Sequence, residues 1–145
     1  MHTDSQGIIL AMHLTPGQQH ESTCFETLMD KARLPNAQGR PLLRPKRLAA
    51  DKGYSYPRIR RWLRAHRIEA VIPQRTDQKH QHCGRPLKFD SQLYRQRNAV
   101  ERCIGRLKEF RRLSTRYDKH SISLEGLLDL ARTRQYLKLV LSDRA

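Results

Sequence analysis

The sequence predicts an α/β fold, and three observations predict it. Stretches of strand length stand at 8–14, 46–50 and 68–73, the first an apolar run. Around them, at 20–32, 57–66, 91–112 and 121–141, apolar residues recur at helical spacing. The 145 residues suffice for one domain with a real core, and no apolar run approaches the ~18 residues of a membrane-spanning helix.

The elements follow in order. Residues 1–2 read as the end of something already under way. Thr3 to Gly7 has turn chemistry, with Gly7 available for positive φ. Residues 8–14 form a strand, so the chain opens on a hairpin whose first strand is largely missing. Thr15-Pro16-Gly17 ends that strand. The helix at 20–32 buries Phe25, Leu28 and Met29 and carries Glu21 at its positive end. Three prolines, Asn36 and Gly39 make 34–45 a loop.

Residues 46–50 form a short strand with Asp51 at its C-terminal end, and Gly53 permits a sharp exit. Pro57 fits the first turn of a helix over 57–66. Ile59, Trp62 and Leu63 are its buried face, and Arg58, Arg60, Arg61, Arg64 and Arg67 point outward. A strand follows at 68–73, then a polar, basic, unpatterned loop at 74–90. The last helix, 121–141, offers Ser121 or Ser123 as N-cap and is apolar at Leu124, Leu127, Leu128, Leu130, Ala131, Leu137 and Val140. It packs across the sheet or against the helix at 91–112.

Charge narrows the function. The net charge is +15 and the pI about 10.6, which points to a polyanionic partner, most simply nucleic acid, and away from a small neutral substrate. From Tyr94 to Lys119 nine Lys/Arg face three acids. The three cysteines, Cys24, Cys83 and Cys103, are odd in number and widely spaced, which suits a reducing compartment better than a disulfide framework. His80, His82 and Cys83 supply three local zinc candidates, but no second pair of ligands follows them.

On a helix over 91–112, Tyr94, Arg97, Glu101 and Lys108 share a stripe roughly 60° wide. Beside it lies an apolar stripe, Leu93, Val100, Ile104 and Leu107, and opposite that a cationic one, Arg95, Arg102 and Arg106. Taken alone, this polar line is a solvated face with Arg97 and Glu101 as an i,i+4 pair stabilising by roughly 0.3 kcal/mol. Asp51, taken alone, is a cap for the turn that follows it; it also stands at a strand's C-terminal end, a usual place for chemistry in α/β sheets.

The spacing Y-x2-R-x3-E-x6-K, with LAADKGY at 48–54 and the flanks LTPGQQHES, AVIPQR and FRRLSTRYDK, resembles insertion-sequence transposases with a DDE catalytic domain, in the family-five branch. The resemblance covers nearly the whole chain and implies a partial RNase H-like fold: a mixed sheet flanked by helices, its first strand missing. It further implies DNA transposition, by metal-dependent cleavage and strand transfer at transposon ends. Asp51 and Glu101 would be the second aspartate and the glutamate of the triad, holding a two-metal Mg2+ site. Arg97 and Lys108 would contact phosphates and Tyr94 would position or stack. Arg102, Arg111 and Arg112 join them as DNA-binding candidates.

The pattern also has a gap. The family's first aspartate belongs to a strand before the opening hairpin, and neither Asp4, in a turn, nor Asp30, in a helix, replaces it. The expectation is a single partial catalytic domain over 1–145 without the N-terminal DNA-binding region, joined to an upstream frame product or decayed, and inactive alone. The implied partners are transposon-end and target DNA and, when complete, further copies of the protein. The implied location is the bacterial cytoplasm at the nucleoid. A non-catalytic DNA-binding remnant is the alternative, and a zinc-dependent nucleic-acid binder a third reading.

Overall fold

The structure is a computed structural model and describes residues 1–35, 41–42, 45–79, 89–115 and 120–142. Short strands and helices are interspersed up to Val71, and among the described residues only helices follow, as in a mixed α/β chain. Contacts divide the chain into two compact units, one of Met1–Leu14 with Asn98–Ala145 and one of Thr15–Arg97.

The first unit opens on an antiparallel hairpin, β1 (His2–Thr3) with β2 (Ile9–Ala11). Asp4 builds its turn: Oδ1 accepts from the amides of Gln6 at 2.9 Å and Ile8 at 2.8 Å. Gly7 takes φ +83°, as its place in the turn predicted.

The second unit begins with a 3-10 turn, Glu21–Cys24, running into α1 (Phe25–Lys31). His20 stands before this helical segment rather than in it, its Nδ1 accepting from the Ser22 amide. The predicted loop at 34–45 contains a small antiparallel pair, β3 (Leu34–Pro35) with β4 (Pro41–Leu42). Prolines are admissible there because so short a pair asks for few amide donors.

A βαβ unit forms the centre: β5 (Arg47–Ala49), α2 (Pro57–Ala65) and β6 (Glu69–Val71), the two strands parallel and in register Leu48 with Ala70. The core gathers here from Phe25, Met29, Leu48, Ile59, Leu63, Ile68 and Ile72. Trp62 is only half-buried, edge-on to Phe25 and stacked on His66 at 3.7 Å. Two of the arginines predicted to point outward also serve the fold: Arg58 is exposed as expected, whereas Arg60 is half-buried. Arg58 bonds Glu26 and the Ser22 carbonyl, and Arg60 bonds Ser55 Oγ and the Ile72 carbonyl. A single turn, α3 (Thr76–Lys79), interrupts the predicted loop at 74–90.

The helix predicted over 91–112 is three helices: α4 (Ser91–Arg95), α5 (Asn98–Lys108) and α6 (Arg111–Thr115). Asp90 caps α4 through the amides of Gln92 and Leu93. The breaks close with i→i−3 bonds, Arg97 to Tyr94 and Phe110 to Leu107. The second break carries Phe110 beneath the Arg134 guanidinium at 5.2 Å.

The last helix, α7 (Ser121–Ser142), has nearly its predicted bounds. In the first unit Leu124, Leu127, Leu128 and Ala131 of its predicted apolar set are half-buried or buried, but polar residues share that role. Arg132, Gln135 and Tyr136 bond the hairpin carbonyls of Leu10, Gly7 and Ile9, whereas Leu130, Leu137 and Val140 are exposed. The backbone oxygens of a short hairpin need donors, and apolar side chains have none to give. Among the described residues the strands form three separate pairs, not one mixed sheet. Each strand has two or three residues, too few to present a long pairing edge.

Candidate functional site

Asp51 follows β5 at the C-terminal end of the parallel pair, where the last ladder bond is Ala50 N–H to the Val71 carbonyl. Its extended backbone starts a 3-10 turn, Lys52–Tyr54, and its Oδ1 accepts from the Gly53 amide at 2.8 Å. The capping role open to any aspartate is therefore filled, and it fixes the carboxylate through one oxygen.

Sequence reasoning missed what stands behind this turn. The turn packs against the 3-10 turn of Glu21–Cys24. The Tyr54 phenol feels the Glu21 carboxylate and packs near the Phe25 ring. Its pKa is pushed up to about 12, first by burial, then by the charges of Glu21 and Asp51. Glu21 reads in the sequence as a helix-start acid, and only its position in the fold joins it to the D-K-G-Y segment.

Tyr94 and Arg97 meet at the end of α4, with the guanidinium 5.5 Å from the ring centre and Phe89 on the same tyrosine at 5.3 Å. Both belong to the second unit. Glu101 and Lys108 lie on α5 in the first unit, seven residues apart, which puts both exposed side chains on one face. The predicted stripe is thus divided where α4 ends. Arg102, Arg111 and Arg112 are exposed on α5 and α6. Arg106, predicted in an outward cationic stripe, is exposed there and also bonds the Gly7 carbonyl at 3.2 Å.

The buried face of α5 also differs from the predicted apolar stripe. Ala99 and Cys103 are buried, Val100 and Leu107 half-buried, and Ile104 is exposed. The hairpin explains the choice of small residues: a Cβ on Gly7 would stand 3.1 Å from the Ala99 carbonyl oxygen. So close an approach of backbone to backbone leaves no room for a branched side chain.

Asp4 is engaged in its turn and Asp30 pairs with Arg33 at 2.7 Å. The zinc candidates His80, His82 and Cys83 lie outside the described residues. Among the described residues no three His, Cys, Asp or Glu side chains converge as a metal-holding group. No helix of the described residues is long and apolar enough to cross a membrane.

The family profile described as "Transposase DDE domain" matches residues 1–131. The chain belongs to the DDE transposase family. It is 35% identical over 120 residues to a Burkholderia cepacia protein named "Putative transposase for insertion sequence element IS402". That alignment takes in 82% of this chain and 52% of the relative, so this DDE transposase chain spans about half the length of the curated relative it matches. No solved structure matches.

Proposed function

We propose that this chain carries two of the three metal-holding carboxylates of a transposase that cuts and joins DNA at transposon ends. Asp51 and Glu101 are those two, and the third comes from a segment of the protein outside this sequence. The observation that carries the reading is Asp51 itself, a carboxylate fixed at the C-terminal end of a parallel strand pair in a chain of the DDE family. The same pair and its crossover helix support an RNase H-like core.

The donor chemistry fits magnesium. Both residues offer hard oxygen, and the Gly53 amide holds Asp51 by one oxygen of its carboxylate. Divalent cations, when bound, supply charge relief on the scissile phosphate and an activated oxygen nucleophile. The chain's own residues bind and orient. Lys108, Arg97, Arg102, Arg111 and Arg112 neutralise phosphates, and Tyr94, already stacked with Arg97, offers a ring face to a base or sugar. The working protein is a multimer on paired DNA ends.

Metal and DNA titrations of the chain test this. Mn2+ binding followed by water-proton relaxation weakens in Asp51→Asn and in Glu101→Gln, and the chain binds duplex DNA without nicking it. Mn2+ affinity unmoved by either substitution would remove the metal role and leave a non-catalytic DNA-binding protein. Magnesium-dependent nicking by the chain alone, lost in Glu101→Gln, would refute the external third carboxylate.

A further inference from the structure

The arginines of α2 sort into two kinds. Arg58 and Arg60 are used by the fold, the first on Glu26 and Ser22, the second on Ser55 and Ile72, where burial lowers its guanidinium pKa. Arg61, Arg64 and the following Arg67 are exposed. Other arginines are ion-paired: Arg33 with Asp30, Arg47 with Glu69, Arg58 with Glu26 and Arg75 with Asp77. No acid lies within α2. Arg61 and Arg64, three residues apart, are neighbours on the helix surface.

Arg67 carries the second observation. It ends the helix in the left-handed region, φ 57°, the one non-glycine residue with positive φ among those described. The bonds Ile68 N–H to the Leu63 carbonyl at 2.9 Å and Arg67 N–H to the Arg64 carbonyl at 3.0 Å make this a Schellman close. Glycine is the residue that takes this position without strain. An arginine here gains from the negative helix end, but that gain falls off within the last turn and does not reach Arg61.

The topology says where the row lies. α2 connects parallel strands, so it runs antiparallel to both. Asp51 leaves the C-terminal end of β5, whereas Arg67 stands just before the N-terminal end of β6. The nine residues of α2 span about 13 Å between those ends, roughly four base-pair steps of duplex at ~3.4 Å each.

We propose that Arg61, Arg64 and Arg67 form a phosphate-binding row that runs from the middle of α2 to the end of the β5–β6 pair remote from Asp51, and that it holds duplex DNA away from the bond being cut. This rests on the DNA-processing reading above. The row reads no bases: it neutralises backbone charge and fixes the duplex in register.

Salt-dependent DNA binding tests it, with the chain carrying Arg61→Gln, Arg64→Gln and Arg67→Gly. The slope of log affinity against log salt becomes shallower by about 2.7, roughly 0.9 for each lost phosphate contact, equally on transposon-end and random duplex. Arg67→Gly alone removes about 0.9 from the slope while its thermal midpoint stays level or rises, because glycine relieves the left-handed strain. Arg33→Gln, which removes a paired arginine, leaves the slope unchanged. An undiminished slope in the triple variant overturns the row while the DNA reading stands; no salt-dependent binding by the unsubstituted chain overturns the DNA reading itself. A fall in midpoint in Arg67→Gly with no change in slope makes Arg67 a helix-end residue only.

Discussion

Gly53 donates its amide to Asp51 Oδ1 at 2.8 Å, and a Cβ built on Gly53 would stand 3.0 Å from that same oxygen. The two residues are fitted to each other: the bond that aims the carboxylate works because nothing projects from Gly53. No positive φ is involved, so an alanine there brings no backbone strain. Gly53→Ala is expected to displace the carboxylate by a few tenths of an ångström and to change stability by less than about 1 kcal/mol. Mn2+ binding should weaken nonetheless, since the geometry of the donor is altered while the residue remains. Equal Mn2+ affinity in Gly53→Ala and the unsubstituted chain would show that the capped orientation of Asp51 is not the one that binds.

A different glycine carries the hairpin of the first unit. Gly7 combines φ +83° with a Cβ position 2.9 Å from Arg106 Nη2 and 3.1 Å from the Ala99 carbonyl oxygen. The left-handed conformation alone costs an alanine about 1 kcal/mol, and the contact with α5 backbone cannot relax as a side-chain end would. Gly7→Ala should therefore destabilise by about 2 kcal/mol or more. Gly17→Ala is the control, because nothing lies within 4 Å of its Cβ position and its φ is not positive; it should be neutral within about 0.5 kcal/mol. Chemical denaturation of the two variants side by side checks the contrast, and equal midpoints would mean the hairpin does not dock on α5 as described.

The local grammar of the chain was legible because local chemistry writes it. Gly7 in its turn, Pro57 opening α2 and Asp51 ending a strand are consequences of neighbouring residues. What was not legible depends on residues far apart. A helical wheel treats 91–112 as one rod, yet it breaks after Arg95 and after Lys108. The wheel then ranked Ile104 above Cys103 as core because it weighs hydrophobicity and not clearance. The hairpin backbone presses close to α5, and closeness selected Ala99 and Cys103. Arg58 and Arg106 are exposed as the sequence suggests, but the carbonyls they also bond lie 36 and 99 residues away in sequence, and the Leu10 carbonyl bonded by Arg132 lies 122 residues away. The influence of Glu21 on Tyr54 is hidden in the sequence for the same reason.

That reversal on α5 is measurable. Cys103 is fully buried and Ile104 is 40% exposed. Cys103→Leu forces extra methylenes into a packed position and should cost about 1–3 kcal/mol. Ile104→Gln removes an apolar group that already meets water and should cost about 0.5 kcal/mol or less. If denaturation midpoints give the opposite ranking, the buried face of α5 is the one the helical wheel predicts.

Tyr54 gives the pH prediction. Its pKa is pushed up to about 12 by burial, with Glu21 and Asp51 adding to it. The folded state thus holds the phenolic proton more tightly than the unfolded chain does at its ordinary value near 10. The stabilisation is complete below pH 10 and is lost as pH rises from about 10 to about 12. Two pH units correspond to about 2.7 kcal/mol, and the phenol's remaining solvent contact reduces that to about 1 kcal/mol. Tyr54→Phe has no proton to lose, so its stability should fall less steeply over that window. The difference between the two urea midpoints, measured from pH 8 to pH 12, isolates this residue from other alkaline titrations. Parallel curves would mean that the Tyr54 proton is no more tightly held in the folded chain than in the unfolded one, and that burial beside Glu21 and Asp51 does not act on this phenol.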